Sequence, residues 1–263
     1  MLKMTVFNFA VQQLDFGIEV QHLDFKGQRP GPEAYARLAA ALDAPAGQAL
    51  RVLKLAHCNL DRRVLIPLFA ALAPLPLRTL VLSDNWLAAD GTDALARALT
   101  GTTLGVTLTT LDVARSRVSG AAALASALAS PRCGLRSLDL SGNFGTLHGP
   151  KLKRSCLVAL LKAMKRRHAA AEGGVETLGL HNAGRIFANQ AKLSGARALA
   201  KLLGASGGLA SLALTLEEQD DMVWSGAKAN ATAALLCAAI AAPPSSARVH
   251  TLDLSLALFS ASA

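Results

Sequence analysis

Aromatic side chains are scarce in this sequence: one tyrosine, two tryptophans and eight phenylalanines make up 4% of its 263 residues. With 52% hydrophobic content the chain can bury a large core, and that core must be built mainly from leucine and alanine. The four cysteines, Cys58, Cys133, Cys156 and Cys237, lie far apart and form no C-x-x-C pair, which argues against a zinc site and a disulfide framework. No cofactor is expected, and a reducing intracellular compartment, the cytoplasm first, fits best. The longest apolar stretches, Leu65 to Leu77 and Ala231 to Pro243, contain or end in proline and are too short to span a bilayer. No basic segment followed by an apolar run opens the chain, and Asp15 argues against a transit peptide. Signatures of catalysis are missing as well: there is no P-loop, G-x-S-x-G, H-E-x-x-H or dinucleotide fingerprint. His57, His148, His168, His181 and His250 have no acidic or cysteine partner at ligand spacing, so no catalytic or metal-binding residue is assigned.

What the chain does have is repetition. The stretch LRTLVLSDNWL, Leu77 to Leu87, alternates so that Leu80 and Leu82 point inward while Thr79, Val81 and Ser83 point out. Asn85 then turns the chain, and its amide can satisfy backbone groups of neighbouring coils. Related stretches start at Val20, Leu50, Leu108, Leu135, Val175, Leu209 and Val249, giving eight modules. The early ones recur about every thirty residues, a period that implies a solenoid whose coils contact only their neighbours. Cys58 occupies the position of Asn85 and is assigned a structural role there. Between strands come three similar helical segments, Asp90 to Gly101, Ser119 to Ser130 and Ser194 to Ser206. In them the pairs Leu95 and Leu99, Leu124 and Leu128, and Leu199 and Leu203 form a buried stripe, with Asp90 and Ser119 expected as N-caps.

The template L-x-x-L-x-L-x-x-N/C-x-L, followed by this helix signature, resembles the ribonuclease-inhibitor-like subfamily of leucine-rich repeats over about Val20 to Leu256. That subfamily includes ribonuclease inhibitor, the sensor regions of NOD-like receptors and the Ran GTPase-activating protein. The resemblance implies an α/β horseshoe or arc of about eight coils, with parallel strands on the concave face, helices on the convex face and a protein-binding role. Residues 1–19 are expected to form a capping strand or hairpin over the first coil, and 20–263 the solenoid, with enlarged loops in 143–235.

Three surfaces are candidates for binding. The concave face carries Asp24, Lys54, Asp112, Asp139 and Asp253 among small residues, with Asp112 and Asp139 expected to lie one strand spacing apart. A loop rim is expected because the segments from Asn143 to Leu157, Ala183 to Leu199 and Glu217 to Leu236 all lengthen relative to Asn85 to Leu95. It would gather Phe144, Leu147, His148, Arg185, Ile186, Phe187, Met222 and Trp224, with Trp86 further along, as a protein-binding patch. Lastly, Lys151, Lys153, Arg154, Lys162, Lys165, Arg166 and Arg167 form an acid-free stretch on a helix, a polyanion-binding candidate in a chain of net charge +9. The expectation is a noncatalytic protein-interaction scaffold or complex subunit. The alternatives are a GTPase regulator, from the resemblance, and an RNA-associated subunit using helix 151–167. Because the chain stops soon after its last strand, its C-terminal end is expected to be covered by a partner or a second copy.

Overall fold

The computed structural model describes residues 3–4, 10–11, 19–120, 122–144, 152–170, 174–183, 194–204, 209–215, 231, 234–236, 238–239 and 251–255. Nine strands form one parallel sheet in chain order: β1 Lys3–Met4, β2 His22–Asp24, β3 Val52–Lys54, β4 Thr79–Val81, β5 Thr110–Asp112, β6 Ser137–Asp139, β7 Thr177–Leu180, β8 Ser211–Thr215 and β9 Thr251–Ser255. Strands β2 to β9 are the eight modules, and β1 pairs with β2 through Lys3 opposite His22. The register is strict. Leu23, Leu53, Leu80, Leu111, Leu138, Leu178, Leu212 and Leu252 face one another in a single row. From β2 to β6 the central leucine is buried and its two neighbours are half exposed, as period-two alternation requires.

The return paths from β2 to β8 carry helices: α1 Pro32–Leu42, α2 Arg62–Leu72, α3 Ala88–Leu99, the single turn α4 Thr103–Thr107, α5 Ala122–Ala129, α6 Arg154–Ala170 and α7 Ser194–Leu203. Pro32 opens α1 at a position where its missing amide costs nothing. Asp61 caps α2 by accepting from the Arg63 amide at 2.9 Å. Helices stack in series, α1 on α2, α2 on α3, α3 on α5, α5 on α6 and α6 on α7, and their leucines close one continuous core against the sheet. Burying each leucine contributes roughly 1.5–3 kcal/mol, which is how a thin molecule offsets its chain entropy. The architecture is an α/β solenoid of the leucine-rich-repeat kind.

Two expected caps are corrected. Helix α3 begins at Ala88, so Asp90 lies inside its first turn and pairs instead with Arg62 of α2 at 3.0 Å. Ser119 lies three residues before the start of α5, and Gly120 intervenes at φ +66°. The Ser119 hydroxyl is buried with no hydrogen-bond partner among the described residues. Among those residues no helix is long and apolar enough to cross a membrane.

Candidate functional site: the sheet face and its loop edge

The turn after each strand fixes what the edge can display. Cys58, Asn85, Ser116 and Asn143 occupy equivalent buried positions and bond the backbone of their own and adjacent coils. Asn85 Nδ2 donates to Leu55 O at 2.7 Å and Leu82 O at 2.8 Å, while its Oδ1 accepts from Leu60 N at 2.9 Å. Asn143 repeats the pattern on Val113 O and Leu140 O, and accepts from both Ser116 N and Val118 N. Cys58 Sγ donates to Phe25 O at 3.0 Å. Burial pushes the Cys58 thiol up, which keeps it a protonated donor.

One position earlier, each of the coils of β2 to β7 holds a residue in the left-handed region: Gly27, His57, Asp84, Arg115, Gly142 and Asn182. In the first five its amide donates to the next coil, from Gly27 N to Ala56 O at 2.8 Å through Gly142 N to His181 O at 2.8 Å. This second ladder sets His57, Asp84 and Arg115 in successive coils along the edge. Arg115 binds Asp84 through two bonds of 2.6 and 2.7 Å, which holds the Asp84 carboxyl below the usual carboxylate range and raises the guanidinium. Arg29 Nη2 contacts His57 Nε2 at 3.0 Å. Beyond the asparagine row, Trp86 is 51% exposed, and the Arg117 guanidinium sits 3.9 Å from its ring centroid.

On the sheet face Asp112 lies opposite Asp139, one strand apart, and Lys54 reaches Asp24 at 3.9 Å. Asp253 of β9 stands in register with Ala213 of β8. The aspartates have a local task not anticipated from sequence. Asp24, Asp112 and Asp139 each accept from the backbone amide two residues on, at Lys26, Ala114 and Ser141. A recurring Asp at the strand end, in LDF, LDV and LDL, was the available signal. Asp112 also accepts from the Ser83 hydroxyl at 2.9 Å. Burial nonetheless pushes its carboxyl above the usual range, and the like charge of Asp139 adds to this. Asp139 leans over β7, where a Cβ on Gly179 would come within 2.4 Å of its Oδ1.

The structure redraws the other two surfaces. Phe144 is not on the rim. It is 3% exposed within the core that also holds Leu152, whose amide bonds Asn143 O at 3.1 Å. Trp86 is the rim candidate found exposed, and Leu147, His148, Arg185, Ile186, Phe187, Met222 and Trp224 lie outside the described residues. On α6, Lys162, Lys165 and Arg166 are exposed, as is Lys153 just before it, but Arg167 is not. Arg167 is 4% exposed and donates to Leu135 O at 2.9 Å, and burial lowers its pKa. Lys151 and the side chain of Arg154 lie outside the described residues. Among the described residues no three metal-ligating side chains converge.

Neither a protein-family model nor a curated protein matches the chain. Among solved structures it is similar to the tropomodulin C-terminal domain of Caenorhabditis elegans, with 13% identity, TM-score 0.40 and coverage of 75% of this chain and 93% of that one. It is also similar to leiomodin-1 actin-binding site 2, with 16% identity, TM-score 0.41 and coverage of 75% and 90%. The resemblance to the ribonuclease-inhibitor-like subfamily is therefore corrected: no family model places the chain there, and the solved structures similar to it include a tropomodulin and a leiomodin domain.

Proposed function

We propose that this chain is a noncatalytic protein-interaction module that engages its partner along the loop edge centred on Trp86. The observation that carries the reading is the exposed indole held under the Arg117 guanidinium on a turn whose neighbouring backbone is locked by buried Asn85. Tryptophan and arginine are the residues that most often dominate binding energy, and a rigid mount lowers the entropy lost on docking. Asp112 and Asp139, the acids closest together on the sheet face, already hold backbone amides, which favours a positioning role over proton transfer.

The test is quantitative binding. Partners captured by the full chain from its source cell are measured again with Trp86→Ser and Arg117→Gln. Trp86→Ser should weaken a specific partner by about 2 kcal/mol or more, with the melting temperature nearly unchanged. Equal affinity of the variants for every captured partner sinks the assignment of this edge.

A further inference from the structure

The helical layer carries a surface of one charge that no single segment of sequence displays. On α6 the exposed side chains include Lys162, Lys165 and Arg166, and on α7, which packs directly against it, they include Arg197 and Lys201. Helices α5, α6 and α7 contain no acidic residue. The earlier helices differ: Glu33 balances Arg37 on α1, Asp90 and Asp93 accompany Arg97 on α3, and Arg62 of α2 is ion-paired to Asp90. None of the five cations on α6 and α7 makes an ion pair among the described residues. Two helices in contact run about 8–10 Å apart, so these charges share one patch.

We propose that the outer face of α6 and α7 docks an acidic protein segment, at a surface separate from the Trp86 edge. Charge complementarity selects a polyanion, because isolated exposed ion pairs contribute little and only several formed together hold a partner. The composition of the patch selects among polyanions. It exposes no large apolar side chain to enter a bilayer: the described residues that do so are Ile66, Trp86 and Val106, on other elements. It also offers no aromatic ring on which a nucleic-acid base could stack. A flexible run of carboxylates needs neither and can follow the crest of both helices.

The experiment uses the full chain and a fluorescent poly-glutamate peptide of about twelve residues, titrated between about 50 and 200 mM salt. Binding should weaken steeply with salt. The variant Lys165→Gln/Arg166→Gln/Arg197→Gln/Lys201→Gln should bind about tenfold more weakly with a shallower salt slope, while Arg29→Gln/Arg117→Gln on the loop edge stays within about twofold of the parent. Circular dichroism confirms that each variant is folded. If the fourfold variant fails to fold, Lys165→Gln/Lys201→Gln takes its place, with about threefold weakening expected. Unchanged peptide binding by the folded variant overturns the proposal. So does tighter binding of the parent to anionic phosphatidylserine vesicles or to duplex RNA at the same salt.

Discussion

Replacing Asn85 by alanine tests whether the buried amide ladder, rather than leucine burial alone, fixes the coils. Asn85 is fully buried, and its amide supplies three bonds of 2.7 to 2.9 Å. The substitution leaves Leu82 O with the Ser116 hydroxyl at 2.8 Å, but takes from Leu60 N and Leu55 O the partner they have in Asn85. A buried polar group left unpaired costs about 1–3 kcal/mol, so two such groups predict a loss of about 2–6 kcal/mol, a large share of a domain's net stability. Asn143→Ala should cost at least as much, since its Oδ1 serves two amides, at Ser116 and Val118. Cys58→Ala should cost about 1 kcal/mol, because a thiol is a weak donor.

Urea denaturation of the three variants gives the ranking. Since coils couple mainly to their neighbours, the transition need not be two-state, and amide exchange at Leu60 reports the local effect directly. Asn85→Asp is the control. It retains an acceptor for Leu60 N but sets a carboxylate against two carbonyls, so it should be less stable than the alanine variant at pH 7 and recover as pH falls. A loss below about 1 kcal/mol for Asn85→Ala, or a larger loss for Cys58→Ala, would refute the argument.

Asp84 and Asp112 should respond to pH with opposite sign. The folded-state pKa of Asp84 is depressed by Arg115, so its contribution is present above the unfolded value of about 3.9 and is lost as pH falls through the folded value; Asp84→Asn should lower the urea midpoint near pH 7 and lose this acid dependence. Asp112 is raised mainly by burial, so its ionisation removes stability as pH climbs from about 3.9 through the higher folded value, and Asp112→Asn should flatten that decline. Gly179→Ala should cost about 1 kcal/mol by displacing the Asp139 carboxylate from Ser141 N, and a double-mutant cycle with Asp139→Ala should recover most of that cost; strictly additive effects would show that the contact is not the cause.

Position along a coil and the inward leucines were legible in this sequence, and the radial direction of Arg167 and Phe144 was misread. The leucine spacing located all eight modules and their register, because a parallel sheet of stacked coils repeats one hydrogen-bonding pattern and tolerates no slip between neighbours. Arg167 shows how residue type misleads: Leu160, Leu161, Met164, Arg167 and His168 continue one helical stripe, and all five are buried. Helix phase alone places Arg167 inside, and its long stem lets the guanidinium reach Leu135 O from there. Phe144 and Trp86 present a harder case, since each directly follows a ladder asparagine and their positions are equivalent. What separates them is the path of the chain afterwards. Leu152 bonds Asn143 O and shares the core with Phe144, whereas after Asn85 the chain enters α3 within three residues and leaves Trp86 to the guanidinium of the next coil. An aromatic directly after a ladder asparagine therefore stands in either environment: Phe144, read from sequence as part of an exposed rim, lies in the core with Leu152, while Trp86 is exposed.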